Sequence, residues 1–228
     1  MIYGMSHGSG AQKSVMMIGQ TVVLGVAVWL LLFGGLEAVS RLFHVQWDRA
    51  VGSRRVLLTV CFGVVFVRIS VTTLYLLKRA MGWEEAISIP FAFMMYYLGF
   101  SLFAGPASAG FGAETFVGIV LFVVGSFLNT GSELLRDRWK KDPEHKGKLY
   151  TGGLFRYSMH INYFGDILWV IGLACMTANL WSAIIPALLF VFFAFYNAPM
   201  LDKHLSEKYG EEFAAYRRKT KRIIPFIF

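Results

Sequence analysis

Cysteine is scarce. Cys61 and Cys175 are the only two in 228 residues, both inside apolar runs and far from any CxxC or Cys/His spacing. That excludes a disulfide framework or a zinc site as the organising element of the fold. The histidines His7, His44, His145, His160 and His204 are scattered without a pair at metal-ligand spacing, so no metal is expected. Internal repeats are lacking, and so is a mitochondrial or retention signal. No small-residue cleavage site follows the first apolar run, which is too long for a secretory leader and is expected to remain as an anchor. The net charge is +8, but no soluble domain carries the basic residues, which removes the case for a nucleic-acid partner.

What the chain has instead is apolar length. Hydrophobic residues make up 56% and aromatic ones 16%, with a mean hydropathy of +0.55, too apolar for a soluble domain of this size. A bilayer crossing needs about 20 predominantly apolar residues. Such stretches run over residues 17–37, 56–77, 86–104, 113–131, 162–178 and 181–199, the last two joined as a tight helical hairpin at Asn179 and Leu180. The fold class is therefore all-α, a polytopic membrane protein with about six transmembrane helices. Residues 1–14, rich in Gly and Ser, are expected to be loose. Basic loops tend to stay cytoplasmic. This puts residues 132–161 and the tail 200–228 in the cytoplasm, leaves Arg41, Arg49, Arg54 and Arg55 outside against the trend, and places Arg68 within a span. The expected location is integral to a bacterial inner membrane or the endoplasmic reticulum. The cations also suit an anionic cytoplasmic ligand or anionic membrane lipids.

Polar groups inside or at the end of a span are costly in hydrocarbon unless paired or functional, and here they gather in the second half. Asn129 and Glu133 stand at i,i+4 and Arg136 follows at i,i+3, so one helical face carries an amide, a carboxylate and a guanidinium. Either an ion-paired helix end or a binding face meets that pattern. Lys140 to Lys148, with Pro143 and Gly147, reads as an exposed loop. Gly152-Gly153 then permits a tight turn ahead of Tyr157, His160, Asn162, Tyr163 and Asp166, with His160 and Tyr163 at i,i+3 and Asn162 and Asp166 at i,i+4. A helix in lipid has no use for that much hydrogen-bonding capacity, and a polar ligand at its cytoplasmic mouth accounts for it. In the tail, Leu201, Leu205, Tyr209, Phe213 and Tyr216 follow at helical spacing among Lys203, Glu207, Lys208, Glu211, Glu212 and Arg217. This is a C-terminal amphipathic helix, lying on the membrane or closing over the site with Tyr209 and Tyr216.

The runs Gly152-Gly153-Leu154-Phe155-Arg156-Tyr157, Asn162-Tyr163-Phe164-Gly165-Asp166 and Ile223-Ile224-Pro225-Phe226-Ile227-Phe228 resemble the steroid 5α-reductases and their bacterial homologues, from Phe127 to the end of the sequence. His160 to Asp166 and Lys208-Tyr209-Gly210 are also similar to the sterol C14 and C7 reductases. The resemblance implies one membrane-embedded domain over residues 1–228, in which residues 1–125 form a pocket for a lipid-soluble substrate and residues 126–228 hold NADPH. It implies hydride transfer to an activated C=C bond, as in a 3-oxo-Δ4-steroid, with polar groups stabilising charge on the conjugated oxygen. Asn129, Glu133, Asn162, Asp166 and Tyr209 stand where the family contacts its cofactor. Arg136, Arg138 and Lys148 are candidates for its phosphates, because no Gly-rich loop is present to supply backbone donors. Tyr157, His160, Tyr163 and Tyr216 complete the candidate cofactor set.

The family's substrate pair is a Glu on an early span and a Tyr on the next. Glu37 and Arg68 are the nearest candidates for those catalytic positions, with Tyr96 and Tyr97 as alternatives and a buried Glu37 to Arg68 ion pair as the structural rival. Met159 stands where sterol reductases carry Arg, and Ile161 where they carry Pro or a small residue, which favours the steroid type. An S-adenosylmethionine-dependent methyltransferase of the isoprenylcysteine or phospholipid type shares the Gly turn, the His and Tyr, and the Tyr209 to Tyr216 pattern, but carries His-Pro where this chain has His160-Ile161. A non-enzymatic transporter or scaffold would account for the spans and basic loops, not for the clustered polar faces.

Overall fold

The computed structural model describes residues 9–45, 47, 52–105 and 110–228. Arg49 and residues 1–8, including His7, lie outside the described residues. The regular structure among the described residues is helical: α1 (Gly10–Leu32), α2 (Gly35–Leu42), α3 (Ser53–Val71), α4 (Trp83–Phe103), α5 (Ala113–Lys140), α6 (Ile161–Met176), α7 (Ile184–Phe192), α8 (Ala198–Tyr209) and α9 (Glu211–Lys219). Among them, five runs are long and apolar enough to cross a membrane: Gly10–Leu32, Ser53–Leu76, Trp83–Phe103, Ala113–Lys140 and Leu180–Tyr209, with α6 a shorter apolar helix. At about 1.5 Å per residue, α1 reaches roughly 34 Å, enough for a hydrocarbon layer of about 30 Å.

The outward faces identify the solvent. On α3, Val56, Val60, Val64, Val67 and Val71 are exposed along one face, as are Phe116, Val120, Val123 and Phe127 on α5. Apolar side chains repeated along one helical face and left uncovered by protein face lipid. The chain is an integral membrane protein.

Several boundaries differ from the sequence expectation. α1 begins at Gly10, so residues 10–14 are helical rather than loose, and it ends at Leu32 rather than Glu37. Gly34 stops it by taking φ +83, a left-handed conformation that a side chain would strain. The chain then folds back so tightly that a Cβ on Gly35 would lie 2.6 Å from Leu30 Cα. Glu37 therefore sits on the separate helix α2. α5 continues to Lys140 and carries Glu133 and Arg136 on regular helix. The amphipathic tail is two helices, α8 and α9, broken at Gly210 with φ +50.

The chain divides into two compact units, Met1–Ile119 with Leu173–Ile185, and Val120–Gly172 with Pro186–Phe228. In the first, α1 packs on α4 and α3, and Met16, Met81 and Ala86 form a buried cluster. Arg54, 2% exposed, donates to Thr115 Oγ1 at 3.0 Å, Met176 O at 2.7 Å, Gly110 O at 2.6 Å and Glu114 Oε1 at 3.1 Å. Arg55 is also buried and pairs with Glu37 at 3.2 Å. Two cations that opposed the loop-charge trend are thus matched by carboxylates within their own unit.

In the second unit, α5 and α6 approach through glycines. A Cβ on Gly125 would lie 2.6 Å from Gly165 O, and one on Gly165 would lie 2.5 Å from Asn129 N. Close backbone approach of this kind takes residues without side chains. The start of α6 is tied to the tail: Met159 N donates to Lys221 O at 2.8 Å, His160 N to Arg222 O at 2.9 Å, and Ser158 Oγ to Ile223 O at 2.7 Å. Phe213 and Tyr216 of α9 are buried with Met159, and Leu149, Leu205 and Tyr209 pack around them. Much of the amphipathic stripe is therefore turned onto protein, where burial of a side chain such as Phe213 contributes about 1.5–3 kcal/mol.

Candidate functional site

The glycine crossing in the second unit brings the polar face of α5 against the first turn of α6. Asn129 Nδ2 donates to Asn162 O at 3.3 Å, and Asn162 Nδ2 donates to Glu133 Oε1 at 3.1 Å. Glu133 Oε2 is bound by Arg136. Asn129, Asn162, Glu133 and Arg136 are thus one connected group. Its charged end is open, with 16% of the Glu133 side chain and 39% of Arg136 exposed. An exposed ion pair contributes at most about 1 kcal/mol, whereas a bond to a charged acceptor, such as Asn162 to Glu133, is worth about 1.5–3 kcal/mol. Asp166, one turn further along α6, accepts from Trp169 Nε1 at 2.7 Å.

His160 belongs to a buried network of its own. Its Nε2 lies 2.8 Å from Asp202 Oδ1, and Asp202 Oδ2 accepts from Arg222 Nε at 2.9 Å. The imidazole stacks on Tyr163 with ring centres 5.2 Å apart, and Tyr163 stacks on Phe193 at 4.4 Å. Asp202 and Arg222 were not singled out from the sequence. The signal was present, since Asp202 falls beside Leu201 and Leu205 on the apolar stripe, where a carboxylate needs a partner. Tyr216 donates from its hydroxyl to Phe155 O at 2.5 Å. Burial pushes its phenol up, which keeps it a donor.

The remaining cofactor candidates lie at or near the surface of this unit. Tyr209 is half-buried, with Lys208 Nζ 5.2 Å from its ring centre. Arg138, Lys148 and Tyr157 are exposed. The loop carrying Lys148 is pinned by Trp139, which stacks on His145 with ring centres 4.0 Å apart and meets Tyr150 at 5.1 Å.

The first unit holds the substrate-side candidates. Glu37 pairs with Arg55 rather than Arg68, because Gly34 carries it off α1 and α2 delivers it to the start of α3. Its second oxygen is buried without a hydrogen-bond partner among the described residues. Arg68 is half-buried on α3, within electrostatic reach of Tyr97. Tyr97 is fully buried against Phe62 and Phe93, at 5.1 and 5.7 Å between ring centres, and its hydroxyl has no hydrogen-bond partner among the described residues. Gln20 on α1 is fully buried too, with both amide atoms unpartnered among the described residues. Leaving such a group unsatisfied costs about 1–3 kcal/mol, so each needs a reason. Gln20 was missed in the sequence, although an amide within a span is the same signal that singled out Asn129.

The family described as "Protein of unknown function (DUF1295)" matches residues 89–220. The chain is 35% identical over 112 residues to "3-oxo-5-alpha-steroid 4-dehydrogenase 2" of Sus scrofa, covering 49% of this chain and 42% of that protein. It is 29% identical over 174 residues to "Steroid 5-alpha-reductase DET2" of Gossypium hirsutum, covering 69% and 65%. It is also 33% identical over 109 residues to "Probable O-methyltransferase ustE" of Ustilaginoidea virens, covering 45% and 38%. The chain thus spans less than half the length of the mammalian relatives it matches.

Proposed function

This chain belongs to the DUF1295 family and is distantly homologous to the steroid 5α-reductases, and from that premise we propose that it is an NADPH-dependent reductase of an activated C=C bond. The substrate is a lipid-soluble enone, a 3-oxo-Δ4-steroid or a lipid of similar chemistry, that enters from the bilayer. The observation that carries this reading is the connected group Asn129, Asn162, Glu133 and Arg136, which lies within the residues matched by the family. The basic loops favour the cytoplasmic side for that group.

The donor set fits a phosphorylated dinucleotide. Asn129 and Asn162 supply amides for a carboxamide, and Arg136, Arg138 and Lys148 supply cations for the phosphates. NADPH bound there supplies the hydride. By accepting from Asn162 Nδ2, Glu133 fixes which edge of that amide is presented. His160, Asp202 and Arg222 act as positioning residues that hold the start of α6 to the tail, and Tyr216 holds α9 to Phe155. In the first unit, Tyr97 and Gln20, each buried without a partner among the described residues, are the candidate neutral donors for the carbonyl oxygen, where charge develops as the β-carbon is reduced. Arg68 adds positive charge beside Tyr97, whereas Glu37, held by Arg55, orders α2.

The similarity to a fungal O-methyltransferase favours one second reading, methyl transfer from S-adenosylmethionine. Thermal unfolding of the detergent-purified protein with NADPH, NADH or S-adenosylmethionine separates the two. A ligand at 100-fold over its Kd stabilises the folded state by about 2.7 kcal/mol, or roughly 5–10 °C for a chain of this size. The reductase reading expects that shift with NADPH. A shift with S-adenosylmethionine alone replaces it by the methyltransferase, and no shift with any of the three leaves a transporter or scaffold.

A further inference from the structure

The segment after Arg222 turns back within the second unit. Ile223 N and Ile224 N both donate to Phe228 O at 2.7 Å, and Phe226 takes φ +66, which closes a tight turn. Ile223 at its base is fully buried, but Phe226 and Ile227 at its tip are 77% and 75% exposed. On one side, the Phe228 ring lies 6.4 Å from Phe190 of α7. That run is a membrane span, and Leu188, Val191, Phe192 and Phe195 along it are exposed. On the other side, the Tyr157 ring is 6.1 Å from Phe226, and the Arg156 guanidinium lies 4.6 Å over the Tyr157 ring. Arg156, Lys219 and Lys221 are exposed.

Along this surface the order is cation, amphipathic aromatic ring, bare apolar tip, membrane span. A bilayer presents the matching gradient: anionic headgroups, then an interface that favours Tyr, then acyl chains. We propose that residues 224–228 dip into the membrane, with Phe226 and Ile227 entering the acyl boundary beside α7 while Arg156 and Tyr157 stay at the level of anionic headgroups. Continuity with the lipid-facing surface of α7 selects the bilayer as the occupant. The dip has a consequence for the site, because Arg222 immediately precedes the turn and holds Asp202, which holds His160. Membrane contact at the tip thus steadies the tail segment that pairs with the start of α6, whichever cofactor the unit binds.

The test uses the unaltered protein in vesicles of phosphatidylcholine and phosphatidylglycerol doped with a phospholipid carrying a diazirine near the top of its acyl chain. After illumination and trypsin digestion, the fragment that begins at Ile223 is expected to carry lipid adducts at a level comparable to the fragment containing Phe195. R156E is expected to halve the adduct on the tail fragment in anionic vesicles and to leave it unchanged in pure phosphatidylcholine. Adducts on the α7 fragment with none on the tail fragment overturn the proposal. Crosslinks from the tail fragment to another protein or to a second copy of this chain, without lipid adducts, overturn it in favour of a protein partner. An R156E result equal in both membranes overturns the role given to anionic headgroups.

Discussion

Replacing Gly165 by Ala tests whether the crossing of α5 and α6 sets the proposed cofactor face. The added Cβ would lie 2.5 Å from Asn129 N, 2.7 Å from Gly125 O and 3.0 Å from Asn129 Cα. Unstrained contact begins near about 3.5 Å, and all three neighbours are backbone atoms, so no side chain can swing aside. The helices must part by about 1 Å to restore ordinary contact. Overpacking of this kind costs about 1–3 kcal/mol, and the helix propensity gained with Ala returns at most about 1 kcal/mol. The bond from Asn129 Nδ2 to Asn162 O is already 3.3 Å long, so that separation breaks it and draws Asn162 away from Glu133. The expected result is a melting temperature lower by roughly 2–8 °C and loss of the stabilisation by NADPH. Gly131 on the partner helix α5 is the control, because a Cβ there meets Phe127 at an ordinary 3.5 Å and Gly131→Ala should melt no lower than the parent. If the two variants melt alike and Gly165→Ala keeps its response to NADPH, the crossing of α5 and α6 does not set the cofactor face.

Asp202→Asn removes the charge shared by His160 and Arg222. Breaking a buried pair costs about 3–5 kcal/mol, and the partial exposure of Arg222 places the loss at the lower end; chemical unfolding checks the magnitude, and unchanged trypsin cleavage after Arg222 would count against the tail being held there. Tyr97→Phe deletes a buried hydroxyl without a partner among the described residues, so stability should rise by about 1 kcal/mol while turnover of an enone falls by about 10²-fold or more. Lower stability with normal turnover would place that hydroxyl outside the reaction. Arg54→Lys keeps the charge but not the fork of donors that reaches Thr115, Glu114 and two backbone carbonyls. A loss of about 2 kcal/mol or more in thermal unfolding is expected, and a neutral result would show that the network does not hold α3.

The spans were legible because hydrocarbon demands long apolar runs, and that demand shows in composition. The end of the first span was not legible, because Phe33, Gly35 and Leu36 continue the apolar run and only the left-handed Gly34 breaks the helix. The partner of Glu37 was hidden for the same reason, since the turn at Gly34 delivers it to Arg55. Asn129, Glu133 and Arg136 could be placed on one face from spacing alone. Their bond to Asn162 could not, because it depends on how closely Gly125 and Gly165 let two helices cross. The pairing of residues 158–160 with the tail left no trace in local pattern, because its bonds to Lys221, Arg222 and Ile223 run largely through backbone atoms.

Transfer of label from NADPH deuterated at the reactive carbon of its nicotinamide ring distinguishes hydride transfer from methyl transfer. The purified protein is reconstituted in lipid with a 3-oxo-Δ4-steroid, and the product is read by mass spectrometry. One deuterium is expected in the reduced steroid, at the β-carbon, with a signal that collapses in Asn162→Ala and Glu133→Gln. NADPH left unconsumed across a panel of lipid enones, with a methyl group from S-adenosylmethionine appearing on an acceptor instead, would contradict it.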